Sequence, residues 1–153
     1  MMSTLHTGTM GVNGVSNKRP TPNWANLREA LWERSHGRCE VSGWPLDQDT
    51  FDAHHRRNKG MGGTYRLDTD TLPNLLALHP RVHNGGPGSV HDRRVASEAN
   101  GWLVPKLSAF VLSTIPVAVW AGPGARRYVL LTDRGGYVDV TGVVPASMNE
   151  FGW

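Results

Sequence analysis

Ala53-His54-His55-Arg56-Arg57, Gly60-Met61-Gly62-Gly63 and Asn74-Leu75-Leu76-Ala77-Leu78 follow one another in the middle of the chain. Residues 51–57 are a short strand candidate, and 74–78 form a second short apolar run. Between them, three glycines in four residues favour dihedrals that side chains resist, so this stretch is expected to be an irregular loop. Downstream, residues 79–88 hold Pro80, Gly85, Gly86, Pro87 and Gly88 and are expected to form a loop. Ser89 is a good helix N-cap with Asp92 three residues on, so a helix is expected to start there and to be closed by Gly101. The order is strand, loop, strand, loop, helix.

Working outward, Asn23 can cap a helix that runs to about His36, with Trp24, Leu27, Ala30 and Leu31 as its apolar stripe and Gly37 as its stop. Arg38 to Pro45 reads as a tight turn. Residues 1–22 carry no periodic apolar face and are expected to form a flexible arm. After Pro105 the composition changes. Residues 117–120, 128–132 and 137–140 are strand candidates, separated by Gly122-Pro123-Gly124 and Asp133-Arg134-Gly135-Gly136. The expected layout is an arm over 1–22, a domain over 23–105 and a β-rich extension over 106–153 that packs on the core. The fold class expected is α+β.

The formal charge of +3 and pI of about 9.4 suit a polyanionic partner only weakly. The placement of charge is more telling, because Arg56, Arg57, Lys59, Arg66, Arg81, Arg93 and Arg94 all fall in the histidine-rich middle. The single cysteine, Cys39, excludes an intrachain disulfide. No apolar core follows a basic start, so no signal peptide is expected. The most apolar stretch, 107–121, is too short and too interrupted for a membrane span. A cytoplasmic protein without a membrane partner is expected.

Five of the seven histidines lie between positions 54 and 91: His54, His55, His79, His83 and His91. Neighbours on a strand point to opposite faces. One member of the pair His54–His55 can therefore hold a metal while the other faces a substrate. A metal needs two or three neutral imidazoles or carboxylates close together, whereas a general base needs an imidazole near the attacking water.

The ordered set 53–57, 60–63, 74–78, His83, Ser89-Val90-His91 and Gly101-Trp102-Leu103-Val104 resembles the HNH endonuclease family, and most closely the small HNH proteins of actinobacterial bacteriophages. The similarity covers about half the chain. It implies a ββα-metal (His-Me finger) core holding one divalent ion, here with an N-terminal helix and a C-terminal β-rich tail. By the family pattern His54 binds the metal from the first strand and His55 is the general base. Asn74 is the middle Asn, bonding across the glycine loop to keep His55 oriented, or touching the metal as in some members. The last histidine of the pattern can be His83 or His91.

Two departures from the family matter. Many members carry two Cys-x-x-Cys knuckles, but here Ser42 stands where the second cysteine would be and the other knuckle begins at His79. A four-ligand zinc site is not expected, and Cys39 is expected to be a buried thiol. In relatives the last two ligands stand four residues apart, yet Pro87 occupies that place before His91. The glycine-rich insertion is expected to fold back so that His83 reaches the same ion. The expected ligands are His54, His83 and His91, with His79 in reserve.

The function the resemblance implies is metal-dependent hydrolysis of DNA phosphodiester bonds, of low sequence specificity, leaving 5′ phosphate and 3′ hydroxyl. The ion is Mg, Mn, Ni or Zn. Arg56, Arg57, Lys59, Arg93 and Arg94 are candidate phosphate contacts. Packaging of phage DNA beside a terminase or portal is a further implication. The alternative is a non-catalytic, metal-stabilised DNA-binding or packaging module on the same scaffold. His55 discriminates the two, since a binding module needs no second imidazole beside a ligand imidazole.

Overall fold

The computed structural model describes residues 21–61 and 63–143. The arm expected over 1–22 lies outside these, apart from its last two residues, as does the end of the C-terminal extension. The architecture is mixed α/β, with a few short helices and two small antiparallel sheets. No described helix is long and apolar enough to cross a membrane.

Helix α1 spans Trp24–Ser35, as its spacing predicts. The Asn23 side chain accepts from the Asn26 N–H, and His36 ends the helix in the left-handed region with φ of 52°. Leu31 is fully buried on the face expected, with Trp24, Leu27 and Ala30 packed around it.

Strands β1, Asp52–His55, and β2, Leu75–Leu78, pair antiparallel, with His54 opposite Leu76 and His55 opposite Leu75. β2 is buried on both faces, which is why it reads as an unbroken apolar run. Leu75 and Ala77 pack with Leu31 and Phe51 beneath α1. Leu76 and Leu78 join a second cluster with Cys39, Val90, Trp102, Val117, Val119, Val129 and Leu131. The same alternation divides β1. Ala53 and His55 share the α1 side, while Asp52 and His54 share the other.

Two expectations after β2 need correction. The stretch 79–88 is not all loop: helix α2 spans Pro80–Asn84, with proline at its first position and the His79 ring accepting from the Arg81 N–H. The helix expected from Ser89 begins later, as α3 over Arg94–Ala99. Ser89 Oγ does accept from the Asp92 N–H, and the Asp92 carboxylate accepts from the Gly88 N–H. These bonds close a turn over 88–93, and His91 sits in that turn rather than on a helix.

Strands β3, Val117–Gly122, β4, Ala125–Leu131, and β5, Tyr137–Asp139, form the second sheet as an antiparallel meander. Its residues Val117, Val119, Val129 and Leu131 fill the same cluster as Leu76 and Leu78, so the extension shares its core with the preceding segment. The Trp102 indole donates to the Ala118 carbonyl across that contact. Gly101 has φ of 71°, and a Cβ there would stand 2.1 Å from the Pro116 carbonyl oxygen, so the approach of α3 to β3 requires glycine.

The turn 38–46 has the shape of a knuckle closed mainly by backbone bonds, with the Arg38 guanidinium donating to Gly43 O and Ser42 Oγ accepting from the Trp44 N–H. Cys39 N–H donates to Trp44 O, Gly43 N–H to Cys39 O and Leu46 N–H to Gly37 O. Cys39 is fully buried in the core, as expected. Arg34 and Glu40 form a buried ion pair at 2.9 Å behind the turn, completed by the Tyr137 hydroxyl and the Ala77 N–H.

Candidate metal centre

β1 supplies His54, α2 supplies His83 and the turn before α3 supplies His91. Their rings converge with centroids 4.9, 5.3 and 5.0 Å apart. One nitrogen from each lies within 4.8 Å of the others, so the group could hold a metal ion. This is the set expected from sequence, and the fold-back of the 85–88 loop does bring His83 to His91: His91 N–H donates to the His83 carbonyl at 3.5 Å, and Val90 N–H to Val82 O at 2.8 Å.

The donor set fits a cation on three counts. First, the outward nitrogens are fixed. His54 Nε2 lies 2.7 Å from the Trp102 carbonyl, an acceptor only, so the proton is on Nε2 and the lone pair on Nδ1. His83 Nδ1 lies 2.8 Å from an Asp52 carboxylate oxygen, which leaves Nε2 as its ligand atom. Such carbonyl and carboxylate partners orient metal-binding imidazoles and raise their basicity. Second, His83 Nε2 and His91 Nε2 stand 3.2 Å apart. Two nitrogens about 2.05 Å from one tetrahedral ion would be separated by about 3.3 Å. Third, His54 and His91 resist protons. Burial, aided by His83, His91 and His55, pushes His54 down to about 3, and burial with His83 lowers His91. Neutral imidazoles are what a divalent ion needs.

Asp52 was not singled out from sequence. Its signal was parity, since it stands two residues before His54 on the same face of β1. Asp52→Asn is expected to weaken metal affinity about 10- to 100-fold, while the fold persists because the side chain is partly exposed. Chelator competition on the purified variant measures this; an unchanged affinity would remove Asp52 from the site.

His55 lies on the other face of β1. Its Nε2 is 2.8 Å from Asp70 Oδ1, and the same oxygen is 2.9 Å from Lys59 Nζ. The Trp24 ring meets the imidazole edge-on at 5.9 Å, and Lys59 Nζ also lies 5.3 Å from that indole. Asp70 is the second residue the sequence did not disclose; it is brought to His55 across the glycine loop.

Asn74 is fully buried and ties the two ends of that loop. Its Oδ1 accepts from the Arg57 N–H at 2.7 Å, and its amide donates to Thr69 O at 2.8 Å and to Arg57 O at 3.2 Å. It bonds across the loop as expected, but the carboxylate that holds His55 Nε2 belongs to Asp70. Asn74 acts one step back, by fixing Arg57 after His55 and Thr69 before Asp70.

The arginines after His55 correct an expectation. Arg56 is fully buried, with Nε donating to Gly101 O at 2.7 Å and the fork reaching Pro73 O at 2.9 Å and Ile115 O at 2.8 Å. Burial, with Arg34 and Arg57 nearby, pulls its guanidinium down to about 9, so it remains charged at neutral pH. Arg57 is 3% exposed and is held by Asp68 and by the Phe110 carbonyl. Neither is placed to meet phosphate. Lys59 is partly exposed but paired with Asp70. Arg93 and Arg94 are exposed, and Arg94 pairs with Glu98. His79, the reserve ligand, instead caps α2 and meets Trp44 edge-on at 5.3 Å.

A cavity of about 290 Å³ opens beside His91, lined also by Asn58, Gly60, Arg94, Glu98 and Lys106. The site thus combines three convergent imidazoles, a fourth imidazole held by a carboxylate, and a cleft with cations at its edge. No family model, curated protein or solved structure matches the chain.

Proposed function

We propose that this chain is a divalent-metal-dependent endonuclease of the HNH type that hydrolyses DNA phosphodiester bonds, with β1, β2 and α2 serving as a ββα-metal unit. The observation that carries the reading is the division of β1: His54 joins two other imidazoles on one face, while its neighbour His55 is held by Asp70 on the other.

A bound divalent ion would stabilise the charge that builds on the phosphate and the leaving oxygen. His54, His83 and His91 would hold it. Three imidazoles favour Mn, Ni or Zn over Mg. His55 takes the proton of the attacking water, and Asp70 stabilises the imidazolium that results, as a carboxylate beside a catalytic histidine does. Lys59, 2.9 Å from the same carboxylate oxygen, holds Asp70 in place. Arg94 and Lys106, at the cleft beside His91, are positioned to meet the strand's phosphates.

The test is plasmid cleavage by the purified chain with EDTA and with Mg, Mn, Ni or Zn. Nicking that requires added ion, strongest with an ion that imidazole prefers, is expected. No cleavage with any ion, together with a gel shift of the same plasmid, would replace this reading with a metal-stabilised DNA-binding module.

A further inference from the structure

A second groove lies beyond the metal centre, on the segment that supplies His83 and His91. It encloses about 320 Å³ between the knuckle turn, α2 and α3, and its walls carry Arg81, Arg93 and Arg126 but no carboxylate. Among the described residues none of these three guanidiniums has a carboxylate partner. Elsewhere on the surface Arg66, Arg94 and Arg127 each have one. Three uncompensated cations converging on one concavity repel one another, and an anionic occupant relieves that repulsion.

The groove also has an aromatic edge. Trp44 is 49% exposed on its rim, with the His79 ring against it at 5.3 Å. Arg126 lies over the Trp102 ring at 4.7 Å, which fixes that guanidinium at the groove wall. Through Val41, Ser42 and Arg126 the groove continues into a second concavity that ends at Trp120, where Arg38 stacks at 5.3 Å. Arginine forks match phosphate oxygens, and an exposed indole offers a face to a base. An acidic peptide would satisfy the cations but leave Trp44 unused. A duplex would keep its bases stacked away from the indole.

We propose that this groove binds single-stranded nucleic acid, with Arg81, Arg93 and Arg126 on successive phosphates and Trp44 stacking on a base. The site is separate from the metal centre and does not depend on cleavage. A strand held here would run past the turn 85–93, whose other residues reach the metal centre.

The experiment is fluorescence anisotropy of a labelled twelve-nucleotide oligo-dT with the full chain in EDTA, over a range of salt. Three phosphate contacts to a single strand predict a log–log salt slope of about −2. The double charge reversal Arg81→Glu/Arg93→Glu, both exposed and away from the core, is expected to weaken binding at least 10-fold and to flatten the slope. Trp44→Ala is expected to weaken it about 5-fold or more without changing the slope. Thermal melts of both variants establish that the fold persists. Unchanged binding in the double reversal would overturn the proposal. So would equal affinity for a duplex of the same length, or for poly-glutamate of matched charge. His55→Ala is expected to bind the oligonucleotide normally, so a failed nuclease reading and a failed groove are separate results.

Discussion

His55→Ala is expected to lose the proposed metal-dependent DNA cleavage by about two to four orders of magnitude while the three-imidazole group still takes up metal. The expected split follows from the two faces of β1. The metal-side cluster is built from His54, His83 and His91, and its orienting partners are Trp102 O and Asp52. His55 is not one of the three imidazoles of that group. Its removal also leaves no buried charge stranded, because Asp70 retains Lys59 at 2.9 Å. Fold and metal affinity are therefore expected to stay within about twofold of the original, whereas the step that needs a proton acceptor fails. His54→Ala is the contrasting variant, since it removes a ligand and is expected to lose metal and cleavage together. Cleavage rates and metal titration on the same preparations measure both. Full cleavage by His55→Ala would remove the proposed base, and parallel loss of metal would reassign His55 as a ligand.

Much of this site was legible because a strand has a period of two. Once 51–57 is a strand, His54 and His55 must part, and the structure shows one among imidazoles and the other beside Trp24. The same rule would have brought in Asp52. Asp70 was not legible, because its meeting with His55 depends on how the 57–69 loop closes. That closure is fixed by Asn74 amide bonds to two backbone segments. Helix α2 was hidden by composition: Pro80 and the glycines after Asn84 signal a loop, yet proline at the first position of a helix costs no hydrogen bond. The start of α3 was misplaced because Ser89 and Asp92 make the expected capping-type bonds around a turn that does not propagate. In the C-terminal extension the strands followed from apolar runs between glycine turns. Their pairing with Leu76 and Leu78 in one core is a tertiary fact with no local signature.

Arg56→Met is the second large effect, and it falls on stability. An arginine pair beside two histidines in a basic segment suggests a phosphate clamp. Direction is what sequence alone does not supply here, because the carbonyls that receive the Arg56 guanidinium come from the segments around residues 73, 101 and 115. Arg56 N–H itself bonds Asn74 O, and Arg56 O accepts from Val104 N–H, so the residue joins β1 to the segments on either side. Its guanidinium then holds Pro73, Gly101 and Ile115 together through three bonds of 2.7 to 2.9 Å. Methionine fills comparable space but donates nothing, leaving at least three buried carbonyls without a donor at about 1–3 kcal/mol each. Relief of the cost of burying a charge offsets part of this. The net expected loss is about 3 kcal/mol or more, a large share of the roughly 5–15 kcal/mol that holds an ordinary domain together. At about 2–4 °C per kcal/mol for a chain of this size, the melting temperature should fall by about 6 °C or more. Arg56→Lys is expected to recover little, since an ammonium cannot span carbonyls arranged for a planar fork. Arg94→Ala, on the exposed rim of the cleft, should leave the melt unchanged and weaken DNA binding instead. An Arg56→Met protein that melts normally but binds DNA with a shallower salt slope would reinstate Arg56 as a phosphate contact.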